Sequence, residues 1–315
     1  MTPSKPFYSD ASIRVSGVTL NYRSWHIAWH IETTALPYKT DLLLLHGLGS
    51  TLHIWDRVVP YLMNQVAGHV VALDQRGHGR SDKPDDGYTT EQIVEDDHAA
   101  AQMLGLTQPI IIGHSWGATI AMAYATAHPE AARALILIDG VFGDLKDQFG
   151  PTWEHAVRHF SIRDGAGIPK AQFLQRYLGE NQGRFFAPIW NEELERIVLS
   201  TVQPREDGTV VPRLNRAHDL KLMRTLWETS HIDMARHVTQ PVLMIVAEHE
   251  PAPGDNEAGQ WMHFRREGSA RMLKVFPDPS RVRQVVMPDS VHDVPLQRPQ
   301  ELSRIILDFV HDVLS

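Results

Sequence analysis

The chain has 315 residues, no cysteine and a formal net charge of −8, from 30 basic and 38 acidic side chains. The lack of cysteine excludes disulfides, thiol nucleophiles and cysteine-ligated metals, and the scattered basic residues argue against nucleic acid as a partner. At this length, with 43% hydrophobic residues, the chain is predicted to form one large α/β domain, or one domain with a sizeable insertion.

Apolar runs that alternate with helical patterns fill the first 140 residues. Alternating apolar and polar residues over 12–31 predict an antiparallel hairpin that turns at Ser16-Gly17. Buried strands are then predicted, in chain order, at Leu42–Leu45, Val70–Leu73, Ile110–Ile112 and Leu135–Ile138. Because strands that alternate with helices usually pair in parallel, we expect a mostly parallel sheet with helices on both faces.

This alternation stops at residue 141. From 141 to 235 the patterns are mostly helical, and no buried parallel strand is recognisable. Strands resume at Val242–Val246 and near Val285–Met287, before a final amphipathic helix. We therefore assign residues 1–140 and 236–315 to a core domain and residues 141–235 to an inserted helical cap.

The main candidate for chemistry is Ser115, in the stretch Gly113-His114-Ser115-Trp116-Gly117. This Gly-x-Ser-x-Gly sequence lies between a strand of β-branched residues and an alanine-rich helical pattern. A serine at such a sharp strand-to-helix turn projects its hydroxyl from the edge of the sheet, and the glycines remove side chains that would clash there. The context predicts that Ser115 is a nucleophile.

A serine nucleophile needs a base that removes its proton and a carboxylate that orients the base. His292 lies in the loop between the last predicted strand and the final helix. That loop is expected at the carboxyl edge of the sheet, where the serine turn also projects. We therefore predict that His292 is the base.

With these features the chain resembles the α/β-hydrolase superfamily, in the branch that carries a helical cap between the sixth and seventh elements of the core sheet. The resemblance rests on five segments: His46–Gly49, Asp74–Asp82, Gly113–Gly117, Ala247–Glu250 and His292. It implies that the backbone N–H groups of Leu48 and Trp116 form an oxyanion hole, and that the Asp74–Asp82 stretch shapes the loop beside the site.

The triad acid has two main candidates. The resemblance favours Glu250, because the end of the strand at Val246 is a usual place for the acid and Glu can replace Asp in this role. Asp139, at the end of the preceding strand, is the alternative and matches the other known acid position. Glu248 and Asp255 are weaker candidates.

The predicted reaction is hydrolysis of a small-molecule carboxylic ester through an acyl-enzyme, without cofactor or metal. A serine nucleophile argues against the epoxide hydrolase and haloalkane dehalogenase branches, which use an aspartate. A lactonase or a hydrolase that cleaves the carbon–carbon bond of a vinylogous diketone remains an alternative. A non-catalytic ligand receptor is the third possibility, although every triad position is filled.

The cap is expected to cover an apolar substrate pocket. Its predicted lining is Trp116, Phe142, Trp153 and Trp190, although most cap aromatics are expected to be core. Four cap arginines are candidates for contacting an acidic substrate, with solvated surface as the bland alternative: Arg158, Arg163, Arg176 and Arg184. We expect a cytoplasmic monomer or homodimer, because the sequence has no targeting segment and no membrane-spanning apolar run.

Overall fold

The computed structural model describes residues 7–26, 36–159, 167–179, 182–251 and 256–315. Its main sheet has eight strands in the order β1-β2-β4-β3-β5-β6-β10-β11. In chain order these are β1 Phe7–Val15, β2 Val18–His26, β3 Leu42–Leu45, β4 Val70–Asp74, β5 Ile110–His114, β6 Ala134–Ile138, β10 Val242–Ala247 and β11 Val282–Met287. The strands β7 to β9 form a separate small sheet.

Pairing in the main sheet is mixed in the way the sequence predicts. The hairpin of β1 and β2 is antiparallel, with Val15 opposite Val18 across the turn, and β2 pairs antiparallel with β4. All other neighbours in the sheet pair in parallel. The predicted hairpin and parallel core are therefore confirmed, except that residues 27–31 of the hairpin pattern lie outside the described residues.

The helices of the described residues lie on both faces of this sheet and in the segment between β6 and β10. They are α1 Val59–Leu62, α2 Thr90–Met103, α3 Trp116–Ala127, α4 Leu145–Phe149, α5 Trp153–Ala156, α6 Lys170–Leu178, α7 Gly183–Phe186, α8 Glu192–Leu199, α9 Arg216–Glu228, α10 His231–Ala235, α11 Asn256–Met272, α12 Val294–Gln297 and α13 Pro299–Leu314. Helices α4 to α10 are the ones in that segment. Within the described ranges, no helix is long and apolar enough to cross a bilayer.

Side chains alternate between the two faces of each buried strand, as the period of two requires. Leu42 and Leu44 of β3 pack in the apolar cluster that includes α13, while Leu43 and Leu45 pack in the opposite cluster with α3. Each strand thus joins two hydrophobic layers. This explains why the parallel strands read as continuous apolar runs.

The insertion between β6 and β10 is not wholly helical. It contains a three-stranded antiparallel sheet in the order β7-β9-β8, from Ile168–Pro169, Thr209–Pro212 and Val202–Pro204. The insertion is mostly helical, as expected, and the small sheet is an addition that the sequence did not reveal, because strands of two to four residues are too short to show a periodic pattern. The cap boundaries at 141 and 235 stay a prediction.

The strand register brings the carboxyl ends of three strands together. His114 pairs with Ile138 across β5 and β6, and Ile138 pairs with Ile245 across β6 and β10. The residues that follow His114 and Ile138 are Ser115 and Asp139, so both leave the sheet at adjacent points of one edge. The register therefore places a hydroxyl and a carboxylate side by side.

Candidate active site

Ser115 occupies a strained turn between β5 and α3. Its backbone has φ 55° and ψ −119°, a conformation that residues other than glycine rarely adopt. A Cβ on Gly113 would overlap the Gly117 carbonyl, and a Cβ on Gly117 would overlap the Leu45 carbonyl. The two glycines therefore allow α3 to start immediately behind the strand, which leaves the Ser115 side chain at the sheet edge.

A continuous hydrogen-bonded chain joins Ser115, His292 and Asp139. The Ser115 Oγ lies 2.9 Å from His292 Nε2, and His292 Nδ1 lies 2.6 Å from Asp139 Oδ2. With the Nδ1–H donating to the carboxylate, Nε2 is free to accept the serine proton. The three side chains thus have the geometry of a nucleophile, a base and an orienting acid.

The structure corrects the preferred acid. Asp139, the alternative candidate, contacts His292, whereas Glu250 is exposed and its backbone carbonyl accepts a hydrogen bond from Arg184. The reason is the register: Asp139 follows directly on β6, while Glu250 comes three residues after β10 ends at Ala247. Glu248, the weaker candidate, pairs with Arg266, and Asp255 lies outside the described residues.

The electrostatics of the pair favour a charged acid and a basic imidazole. Burial raises the pKa of Asp139, but the charge of Arg265 and the hydrogen bond from His292 outweigh burial and lower it overall. Burial lowers the pKa of His292, but the hydrogen bond and charge of Asp139 outweigh it and raise this pKa above its ordinary value. About half of the His292 side chain, 49%, is exposed.

Two buried residues that contact His292 and Asp139 were not recognised from the sequence. His114 Nε2 lies 2.8 Å from the His292 carbonyl and holds that backbone, and burial lowers the pKa of His114 to about 4. Arg265, on α11, forms an ion pair with Asp139. His114 was visible only as the residue before the serine, and a single arginine in a helical segment gives no sequence signal of its own.

The predicted oxyanion donors lie at the expected places. Leu48 lines the cavity above Ser115 together with Gly47 and Gly49. Trp116 is the first residue of α3, and the N–H groups of a first helical turn have no partner within the helix. Trp116 thus follows the serine directly, Leu48 lines the same cavity as Ser115, and their role as donors stays a prediction.

Ser115 and His292 open into a cavity of about 710 Å³ between the core and the cap. The core contributes the Gly47–Thr51 loop and Asp293, among others. The cap contributes Ile168, Phe173, Arg176, Tyr177, Ile197, Val198, Thr201, Val202, Val210 and Pro212. The cap side of the lining is therefore mainly aliphatic and aromatic, with one cationic side chain, and the core side carries polar groups such as Ser115, His292 and Asp293.

None of the four predicted pocket residues is among the described residues that line this cavity. The Trp116 ring is buried and stacks on His78 at 5.2 Å, and Phe142 lies beneath the Arg265 guanidinium at 4.7 Å. Trp153 packs against Trp227 at 5.9 Å, and Trp190 lies behind Tyr177 at 6.2 Å. The prediction was wrong because a large aromatic ring in a sequence is more often core than lining.

Of the four cap arginines, Arg176 lines the cavity. Arg184 donates to the Glu250 carbonyl at 2.8 Å, Arg158 is exposed elsewhere on the cap, and Arg163 lies outside the described residues. Across the described ranges, no three His, Asp or Glu side chains are grouped as metal ligands would be. The cavity lining thus includes a hydroxyl, an imidazole, a carboxylate and a guanidinium, from Ser115, His292, Asp293 and Arg176.

A strand order of this kind, with a serine at a sharp turn after β5 and a histidine after β11, is that of a hydrolase of the α/β class. The chain belongs to the alpha/beta hydrolase fold family, whose model matches residues 41–299.

Among its relatives is the 2-(acetamidomethylene)succinate hydrolase of Mesorhizobium japonicum, 27% identical over 208 residues, which are 66% of this chain and 70% of that protein. Epoxide hydrolase B of Mycobacterium tuberculosis is 35% identical over 118 residues, 35% of this chain and 33% of its own length. A crystal structure of E-2-(acetamidomethylene)succinate hydrolase shares the fold, with a TM-score of 0.69 and 22% identity over 97% of this chain and 100% of that one.

Proposed function

We propose that this hydrolase cleaves carboxylic esters by acyl transfer through Ser115, with His292 as base and Asp139 as the orienting acid. The observation that carries the proposal is the hydrogen-bonded chain from Ser115 Oγ to Asp139 Oδ2, which opens into the cavity. A serine nucleophile suits attack on an acyl carbon. The matched epoxide hydrolase B therefore supports the family and not the reaction.

The proposed reaction has two half-reactions. Ser115 Oγ attacks the acyl carbon while His292 Nε2 takes the hydroxyl proton, and the Leu48 and Trp116 N–H groups stabilise the resulting oxyanion. His292 then gives the proton to the leaving alcohol, which leaves an ester on Ser115. Water, deprotonated by His292, attacks this ester, and the acid is released as the serine regains its proton.

Arg176 supports a narrower substrate class, in which the acyl group carries a carboxylate. Arg176 lines the cavity, and it forms no ion pair with any of the described residues. Its guanidinium lies 5.4 Å from the Phe173 ring centre, so the ring borders the cation. The relative from Mesorhizobium japonicum acts on a substituted succinate, an acidic compound.

The test compares p-nitrophenyl hemisuccinate with p-nitrophenyl butyrate, an ester of equal acyl length without the carboxylate. Ser115→Ala should lower kcat/KM for both by at least about 10³-fold. Wild type that is no faster than Ser115→Ala on every ester would refute the proposed chemistry. A lactone and a vinylogous diketone belong in the same panel, because turnover of those substrates alone would identify the alternative reactions.

The substrate class is tested by Arg176→Met, with Arg158→Met as the matched control. Arg176→Met should lower kcat/KM for the hemisuccinate by roughly 10- to 100-fold, because the carboxylate loses a charged hydrogen-bond donor. The butyrate ester and Arg158→Met should change little, because Arg158 does not line the cavity. An equal loss for both esters would refute carboxylate recognition.

A further inference from the structure

The turn that carries Asp139 is held in a strained conformation. Asp139 has φ 48° and Val141 has φ 65°, values that are uncommon for aspartate and costly for a β-branched residue. Such backbone persists only where surrounding contacts over-determine it. Gly140 is one such contact, since a Cβ there would overlap the Ser115 carbonyl.

The other contacts come from α11, a helix that contributes none of the three side chains Ser115, His292 and Asp139. Gly268 on α11 approaches so closely that a Cβ there would overlap the Phe142 carbonyl. One turn earlier, Arg265 is only 4% exposed, and its guanidinium lies over the Phe142 ring. The same face of α11 therefore packs on the strained turn through a glycine and a buried cation.

Arg265 binds one oxygen of the Asp139 carboxylate and leaves the other to His292. Its Nη2 donates to Asp139 Oδ1 and, at 2.7 Å, to the Ala247 carbonyl. The Ala247 N–H donates to the same Oδ1 at 2.8 Å. With Oδ1 held by these donors, Oδ2 is left to face His292 Nδ1. The two N–H groups of Nη2 thus set the rotation of the carboxylate, and the guanidinium also supplies a counter-charge.

We propose that Arg265 is a positioning residue for this hydrolase, which fixes Asp139 so that the carboxylate orients His292 toward Ser115. The inference rests on the proposed function, because it assumes that Ser115 is the nucleophile. Arg265 does not line the cavity and acts only through Asp139.

The charge of Arg265 also has a pH consequence. Asp139 faces Arg265 from α11 and His292 from the loop after β11, and His292 faces His114 and Asp293 as well. The active form of the Asp139–His292 dyad carries a single proton, on His292 Nδ1, and has a net negative charge. Binding of a second proton makes the dyad neutral. Removing a cation destabilises the negative form, so the dyad should take up its proton at higher pH.

The experiment uses Arg265→Met, Arg265→Lys and a matched control, Arg23→Met. Arg23, on β2, is equally buried. It pairs with Asp10 and Asp56 and does not contact Ser115, His292 or Asp139. The readout is the rate at which an alkyl fluorophosphonate labels the protein as a function of pH. Ser115 Oγ forms the bond to phosphorus and fluoride leaves, so the assay needs no knowledge of the natural substrate.

The Arg265→Met variant should be labelled roughly 10²-fold more slowly at pH 7. The acid limb of its pH profile, where the labelling rate falls at low pH, should move up by about one pH unit. Arg265→Lys should restore the acid limb, because it keeps the charge. It should not restore the full rate, because a flexible ammonium does not reproduce the planar guanidinium that lies over the Phe142 ring. Arg23→Met should lose stability but keep the rate and the acid limb. If Arg265→Met does not fold, Arg265→Lys carries the test through its rate.

The outcomes separate the two proposals. Wild type labelled at Ser115, together with an unchanged rate and acid limb in Arg265→Met, overturns the role of Arg265 and leaves the proposed function intact. Labelling of Arg265→Lys at the full wild-type rate overturns positioning by the guanidinium. Absence of labelling at Ser115 in wild type removes the proposed function and this inference with it.

Discussion

Replacing Asp139 by asparagine tests the triad acid, and the structure determines which way the new amide faces. Oδ1 accepts hydrogen bonds from Arg265 and the Ala247 N–H, so the amide oxygen must occupy that position. The amide NH₂ then faces His292 Nδ1 and donates to it. This forces the imidazole proton onto Nε2, where the ring cannot accept the Ser115 proton.

The expected loss in kcat is about 10⁴-fold, equivalent to roughly 5.4 kcal/mol, by analogy with the same change in a serine protease triad. Glu250→Gln is the matched control and should stay within about threefold, since its side chain is exposed and the partner of His292 Nδ1 is Asp139. Initial rates on a p-nitrophenyl ester, with thermal melts to establish folding, give both values. A collapse of kcat in Glu250→Gln with near-normal Asp139→Asn would refute the assignment.

Three further predictions concern the pH profile, stability and packing. Because the pKa of His292 is raised and the base must be neutral, kcat/KM should fall as the pH drops through a value above about 6.5, read from the acid limb of a pH–rate profile. Burial, then the charge of Asp96, raises the pKa of Asp97, and neither of its oxygens has a partner among the described residues. Above about pH 4 the unfolded wild-type chain therefore binds fewer protons than the folded chain, so wild type loses stability as the pH rises. The free energy of unfolding of Asp97→Asn should gain on that of wild type by up to about 1.4 kcal/mol per pH unit above this value. A gain in urea titrations that does not depend on pH would contradict this. Gly117→Ala should lose about 1–3 kcal/mol, because its Cβ overlaps the Leu45 carbonyl, whereas Gly259→Ala on α11 has open space and should lose nothing; equal melting temperatures would refute the packing argument.

The sequence was sufficient for the core because the core signals are local. The buried strands are continuous apolar runs, and the serine turn has its glycines within two residues of the nucleophile. His292 was found because one loop between the last strand and the last helix had to lie at the sheet edge. The distance of 2.9 Å between Ser115 and His292 agrees with that placement.

The acid and the pocket could not be predicted with the same success, because they depend on register and on packing between distant segments. The choice between Asp139 and Glu250 follows from how far each lies beyond the end of its strand, which only the pairing of β6 with β10 determines. Helix α11 gave no clear pattern, since its buried face carries Arg265, Gly268 and Ser269 among apolar residues. A face that mixes a cation with small residues has no apolar stripe to detect.

The position of Asp139, the proposed acid, directly after β6 gives the segment after β10 a different task. Its Glu250 carbonyl accepts a hydrogen bond from Arg184, and its His249 ring meets Phe185 at 5.3 Å, so this segment contacts α7 of the cap. The acid is held instead by α11 and by the backbone of β10, both in the core. Changes at the contact between the 248–251 segment and the cap should therefore alter KM through the cavity roof, while kcat stays under the control of Asp139 and Arg265.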